Sequence, residues 1–187
     1  MVQTPLKLTF SQYLTYDDGE DNFYELVRGE LVKMNPPTVR HMRIAKRIER
    51  ILDTEIERLD LPLETFREAG QQTEYDSSRL VDVCVVTLEQ ANTLVNQSAV
   101  FQSPSVLAVE IVSPSSIQRD YEKKPLEYAN KGVPEYWIVD PLQEQVTILL
   151  LDGGSYQRCV YQDNQLLNSR TFPELKLTPA QVFGNSY

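Results

Sequence analysis

The chain has 187 residues, 41% of them hydrophobic, enough for one compact domain over residues 1–187 but too few for a second of ordinary size. Its net charge of −9 argues against a protein that coats nucleic acid without specificity, because phosphate affinity needs basic surface. No run approaches the roughly 18 apolar residues of a membrane span, and the opening MVQTPLKLTFSQYLTYDDGED has no basic stretch leading into an apolar one, so the expectation is a soluble, cytoplasmic protein without membrane contact.

In FYELVRGELVKM two short strands flank Arg28 and Gly29, and NPP separates them from an amphipathic helix expected from Thr38 to Leu59. The stretch RHMRIAKRIER, Arg40 to Arg50, carries five of the 18 basic residues against one glutamate. A solvated face balanced by Glu55 and Glu57 and a face turned toward phosphate are equally open readings of it. A strand over Glu64–Thr73, a polar turn over Tyr75–Arg79 and the Val-rich strand LVDVCVV come next. LEQANTLVNQSAVFQSP reads as a patternless connector, and VLAVEIV as the following strand. In SPSSIQRDYEKKPLEYANKGV a short helix ends at Gly132 and begins near Lys123 or Lys124, since Pro125 is tolerated only in a first turn. EYWIVD, QVTILLL and SYQRCVY are strands joined by PLQE and DGG, with Tyr136 and Trp137 read as core, and the tail FPELKLTPAQVF is expected along an edge. Cys84 and Cys159 lack CxxC spacing and read as reduced core thiols. The sum is an α+β fold.

Two of these strands each contain one acid. Alternation puts Glu110 on a face with Val106, Ala108 and Val112, and Asp82 on a face with Leu80, Cys84 and Val86. A lone ionised carboxylate there costs several kcal/mol or more, so it must be protonated, paired with a cation or bound to a metal. If the strands are antiparallel, Asp82 comes close to Glu110. A divalent cation that neutralises both is then the economical answer.

These residues resemble the PD-(D/E)XK nuclease superfamily. More closely, YELVRGELVKMNPP followed by His41, then VEIVSPSS, RDYEKK and GVPEYWIVDP, resemble a large bacterial group of restriction-endonuclease-like proteins catalogued as a domain of unknown function. The similarity runs from LTFSQYL to FPELKLTPAQVF. It implies a restriction-endonuclease-like core, a mixed β-sheet flanked by helices, with an added N-terminal hairpin and C-terminal antiparallel strands. It also implies a Mg²⁺-dependent endonuclease that hydrolyses DNA, with Mn²⁺ as substitute ion. Asp82, Glu110 and the backbone carbonyl of Ile111 would hold the metal, and Glu30 and His41 fall on family positions near it. The chain departs from the pattern twice. Val81 stands where proline usually precedes the first acid, and Val112 stands where the superfamily has its lysine. In the bacterial group the lysine sits on the following helix, which implies Lys124, with Lys123 solvated and the weaker candidate.

Each residue has a blander reading. Asp82 could close a polar turn, Glu110 could form a structural ion pair with Lys124, and Asp120 is read as a helix cap before a site residue. The rival to a nuclease is a nuclease fold kept as a binding or regulatory module, and a homodimer is open under either reading. His41 is the only histidine, so a zinc site built on histidines is excluded.

Overall fold

Strand-forming residues concentrate in the middle of the chain, and the sheet is organised around them. In a computed structural model that describes residues 7–20 and 22–184, the central strand is β4, Ser77–Thr87. It is numbered after β1 (Tyr24–Val27), β2 (Glu30–Lys33) and β3 (Leu63–Glu74). The ends of the expected 1–187 domain lie outside the described residues. β3 runs antiparallel along one edge of β4. The other edge is divided: β1 meets it at Ser78, and β6 (Leu107–Ile111) meets it at Val83–Val85. Beyond β6 come β7 (Glu135–Asp140), which is parallel to it, and then β8 (Gln145–Asp152) and β9 (Ser155–Gln162), both antiparallel. The main path is β2-β1-β4-β6-β7-β8-β9, and β5 (Val100–Phe101) adds to β3. This is the expected mixed sheet, with an N-terminal hairpin at one end and antiparallel strands at the other.

The hairpin turns through Arg28 and Gly29, with φ of 51° and 80°; positive φ at both positions suits the right-handed twist of the flanking strands. After α1 (Phe10–Tyr13), the long helix is α2, Val39–Leu59. Thr38 caps it by accepting from the His41 N–H, and Asp60 ends it in the left-handed conformation. Its apolar stripe, Ile44, Ile48, Leu52 and Ile56, packs on Val83, Val109 and Trp137 of the sheet. The other face of the sheet, with Cys84, Ala108 and Tyr136, is covered by Tyr128 and Val133 in and after α4 (Lys124–Lys131). Alternation thus sends Asp82 and Glu110 to the α4 side. Among the described residues no helix is long and apolar enough to cross a membrane.

Several expectations are corrected. The patternless connector holds α3 (Leu88–Thr93), with a capping box from Thr87, and β5. The polar turn is tighter than expected, because Ser77–Arg79 already belong to β4. The tail does not lie along an edge: Phe172, Leu177 and Val182, the last in α5 (Pro179–Phe183), are buried with the α2 core. Cys159 is exposed, not a core thiol, because β9 is the terminal strand of the path and little covers it; Cys84 is buried as expected.

Gly70 is required where β5 docks on β3. A Cβ there would lie 2.8 Å from Val100 Cγ2 and 3.1 Å from its Cβ. Because valine is branched at Cβ, it has no flexible end to swing aside. Gly70→Ala is expected to lower stability by about 1–3 kcal/mol, read as a lower urea midpoint with unchanged slope.

Candidate active site

The site grows out of the divided edge of β4. Between Ser78, paired with β1, and Val83, paired with β6, the chain changes neighbours. Side-chain carboxylates take part in the main-chain bonding there. Asp82 Oδ2 accepts the Ile111 N–H at 2.7 Å, and Glu25 Oε1, from β1, accepts the Leu80 N–H at 3.3 Å. Extending the Val83–Val109 register by one step brings Asp82 opposite Glu110. An extended residue sends its N–H and C=O to the same edge, so the Ile111 carbonyl also faces Asp82.

Glu110 is 2% exposed. Lys124 Nζ lies 2.7 Å from its Oε2, and Tyr128 Oη donates to its Oε1 at 2.6 Å. The same ammonium lies 3.3 Å from Asp120 Oδ1 and 3.9 Å from Glu25 Oε1. Burial pushes the Glu110 carboxyl up to about 8, with the Asp82 and Asp120 charges adding to the shift and Lys124 opposing it. Burial works against a charged Lys124, yet the surrounding carboxylates outweigh it and hold the ammonium protonated. Burial also disfavours a charged His41, but the bond from its Nε2 to Asp82 Oδ1 at 3.0 Å and the nearby acids raise its pKa overall.

An irregular helical start brings Lys124 here. Arg119–Lys123 form a π turn that runs directly into α4. α4 itself begins at Lys124, as expected from Pro125, and the π turn extends the helical path ahead of it. Pro125 has no N–H to give to the preceding carbonyls. Tyr136 Oη donates to the Asp120 carbonyl at 3.0 Å, and Arg158 Nη2 to that of Tyr121 at 3.4 Å. Asp120, Lys124 and Tyr128, spaced by four, all turn inward and are buried, while Lys123 is exposed.

The structure therefore brings Asp82, Glu110, Lys124 and His41 together. Glu30 lies apart, partly exposed, with its ion pair to Lys7 at 4.0 Å. The acid that approaches the site from the hairpin is Glu25, which the sequence reading missed. Asp120 is not a helix cap: it sits inside the π turn, accepts from Ser116 Oγ and pairs with Lys124. Arg79 was missed too. It forks onto Glu127 of α4 at 2.6 and 2.5 Å and reaches Glu25 Oε2 at 2.9 Å, tying helix, hairpin and β4 together. Glu68, left-handed at φ 57°, interrupts β3 opposite Asp82, and its charge is one of those that raise His41. Of the basic residues on α2, Arg40 pairs with Glu144 at 3.6 Å and Arg47 donates to the Val182 carbonyl at 2.7 Å.

The donor set suits a hard cation. Asp120 Oδ1 is buried without a hydrogen-bond partner, and the carboxylates around Lys124 outnumber it, their charges adding to the burial that raises Glu110. Among the described residues no three His, Cys, Asp or Glu side chains form a cage. Two carboxylates beside a main-chain carbonyl match Mg²⁺, which keeps several waters and takes only one or two carboxylates.

A carboxylate pair on neighbouring strands of a mixed sheet, with a helix-borne lysine behind it, fits the restriction-endonuclease-like class of fold. The structure matches the crystal structure described as "a putative nuclease belonging to DUF820 from Anabaena variabilis ATCC 29413" with a TM-score of 0.78 and 19% identity, over 95% of this chain and 98% of that one. Residues 10–180 match the family model described as "Uma2: Putative restriction endonuclease", and the chain belongs to that family. No curated protein is a significant match.

Glu25 carries a pH prediction. Burial disfavours its charge, but Lys124, Arg79 and Arg119 together hold its carboxyl below the ordinary 4.5. Its contribution to stability is therefore present above pH 4.5 and lost as pH falls through the depressed value. Glu25→Gln is expected to cost about 3–5 kcal/mol at pH 7, by leaving Arg79 short of a partner. The gap to wild type should narrow on acidification below 4.5, as measured by urea unfolding across pH.

Proposed function

We propose that this protein is a Mg²⁺-dependent endonuclease that hydrolyses phosphodiester bonds of DNA, with Asp82, Glu110 and the Ile111 carbonyl holding the ion and Lys124 as the catalytic cation. The observation that carries the reading is the convergence of Asp82 and a Lys124-paired Glu110 at the divided edge of β4. A bound Mg²⁺, or Mn²⁺ in its place, supplies Lewis acidity toward the scissile phosphate and the attacking water.

The chain's own residues do the rest. His41 and the Ile111 N–H fix the two oxygens of Asp82, and Tyr128 fixes the rotamer of Glu110. Asp120 and Glu25 keep Lys124 charged and near Glu110 without satisfying it at short range. The ammonium is left able to stabilise the charge that develops on the phosphoryl oxygens, where a positioned cation in a water-poor site is worth most. Val112, at the superfamily's usual lysine position, is free to serve as packing on the α4 side. The charge thus reaches Glu110 from a helix instead of its own strand.

Ion binding is expected to depend on pH with a definite sign. A proton on Glu110 competes with the ion, so Mn²⁺ affinity should rise with pH and level off above about 8. Asp82→Asn or Glu110→Gln should weaken binding strongly, and Glu110→Gln should also remove that pH dependence. Calorimetric titration across pH tests this, and unchanged affinity in both variants would sink the site.

Lys124→Ala should slow plasmid nicking about 10²–10³-fold while Mn²⁺ binding persists. Adding Val112→Lys to that variant should restore part of the rate, provided melting shows it folded. Nicking as fast in Lys124→Ala as in wild type would leave Glu110 and Lys124 a structural ion pair. Nucleic-acid binding by wild type without cleavage would instead favour a binding or regulatory module.

A further inference from the structure

A cleft of about 590 Å³, bordered by the β1–β2 turn, the start of β4 and the π turn, is not used by the chemistry above. Its charged lining consists of Arg28, Arg79, Arg119 and Lys123 against Glu74 and Glu127. Arg79 and Glu127 satisfy each other in a two-pronged pair, and Arg79 also holds Glu25. The other cations are not satisfied. Among the described residues Arg28 and Lys123 have no ion pair, and Arg119 comes no nearer to a carboxylate than 3.9 Å, at Asp120. Arg119 Nε is buried and has no acceptor. In a chain of net charge −9, two unpaired cations and a third held only at 3.9 Å around one concavity are a local reversal of sign.

Placement ties the cleft to the catalytic cluster. Arg119 and Lys123 each precede by one residue the inward-facing Asp120 and Lys124, so the π turn presents one side to the carboxylates and the other to the cleft. Arg28 is unusual in its own right. It holds φ of 51° in a two-residue hairpin turn where asparagine or glycine would sit without strain. An arginine there costs stability and delivers a guanidinium to the lip of the cleft.

We propose that this cleft seats a backbone phosphate of the nucleic-acid strand next to the scissile bond, with Arg28, Arg119 and Lys123 as its donors. Guanidinium forks and an ammonium both suit phosphate oxygens, and two arginines and a lysine position a strand without reading its sequence. The strand's path past the π turn rests on the nuclease reading, whereas phosphate binding itself does not.

The test measures binding of the full-length protein to a fluorescein-labelled DNA duplex and single strand by anisotropy in EDTA over a range of salt. Arg28→Asn, Arg119→Gln and Lys123→Gln are each expected to weaken binding about tenfold and to lower the slope of log affinity against log salt by roughly 0.7–0.9. Arg28→Asn should melt no lower than wild type, since asparagine accepts the turn. Unchanged affinity and slope in all three variants, with wild type still nicking plasmid in Mg²⁺, would overturn the cleft and leave the nuclease standing. Weakened binding in the variants, with a wild type that never nicks in Mg²⁺ or Mn²⁺, would support the cleft and overturn the nuclease. Inorganic phosphate that raises the melting temperature of wild type but not of the variants, with DNA affinity unchanged, would mark a small-anion site and overturn the proposal. So would a wild type that binds neither DNA nor phosphate.

Discussion

One buried ammonium organises this molecule. Lys124 is 2% exposed and lies within 4 Å of carboxylates from β6, from β1 and from its own π turn. An unpaired lysine at such a position would lose its charge, and unpaired acids would take up protons. Together they make each other tolerable, and the sheet, the hairpin and α4 are held in the one arrangement that allows it. The Arg79 bridge to Glu25 and Glu127 repeats the device one layer outward. Buried ion pairs of this kind are weak evidence for net stability. What they enforce is geometry, because any displacement of α4 leaves a desolvated charge behind.

How much of this was legible follows from what each residue needed. Asp82 and Glu110 could be found because a period-two apolar pattern makes one acid conspicuous, and antiparallel pairing then places them together. Lys124 has no such signal: on a helical pattern it looks like its neighbour Lys123, and the resemblance to a bacterial family was needed to choose between them. Glu25 and Arg79 were illegible for a different reason. YELV has the look of a half-buried hairpin strand, and only the docking of β1 on β4, settled by side chains some fifty positions away, shows that Glu25 faces inward. Asp120 was misread because capping is the common use of aspartate near a helix start. The π turn, which puts it inside that start, follows from how Tyr136 and Pro125 share out the main-chain bonds.

The same reasoning explains the misread periphery. β9 alternates as a half-buried strand would, yet it ends the path and both its faces are largely open, so Cys159 is exposed. The tail has no periodicity to read, but its scattered Phe172, Leu177 and Val182 fill the space beside α2. Pattern reports which side of an element is apolar. It does not report whether another element covers that side.

Carrying the ammonium on a helix instead of on the strand has a further consequence. A lysine on the same strand as Glu110 would have its distance to the acids set by covalent bonds, and no change elsewhere could alter it much. On α4 that distance is set by how the helix rests on the sheet: by Tyr128 against Tyr136, whose rings lie 5.0 Å apart, and by Val133 beneath the helix end. Interiors are packed tightly enough to transmit even a methylene's worth of strain. Residues that touch none of these charges thereby become adjusters of their spacing, and the hydrophobic core under α4 works as a calibrated spacer for the buried ammonium.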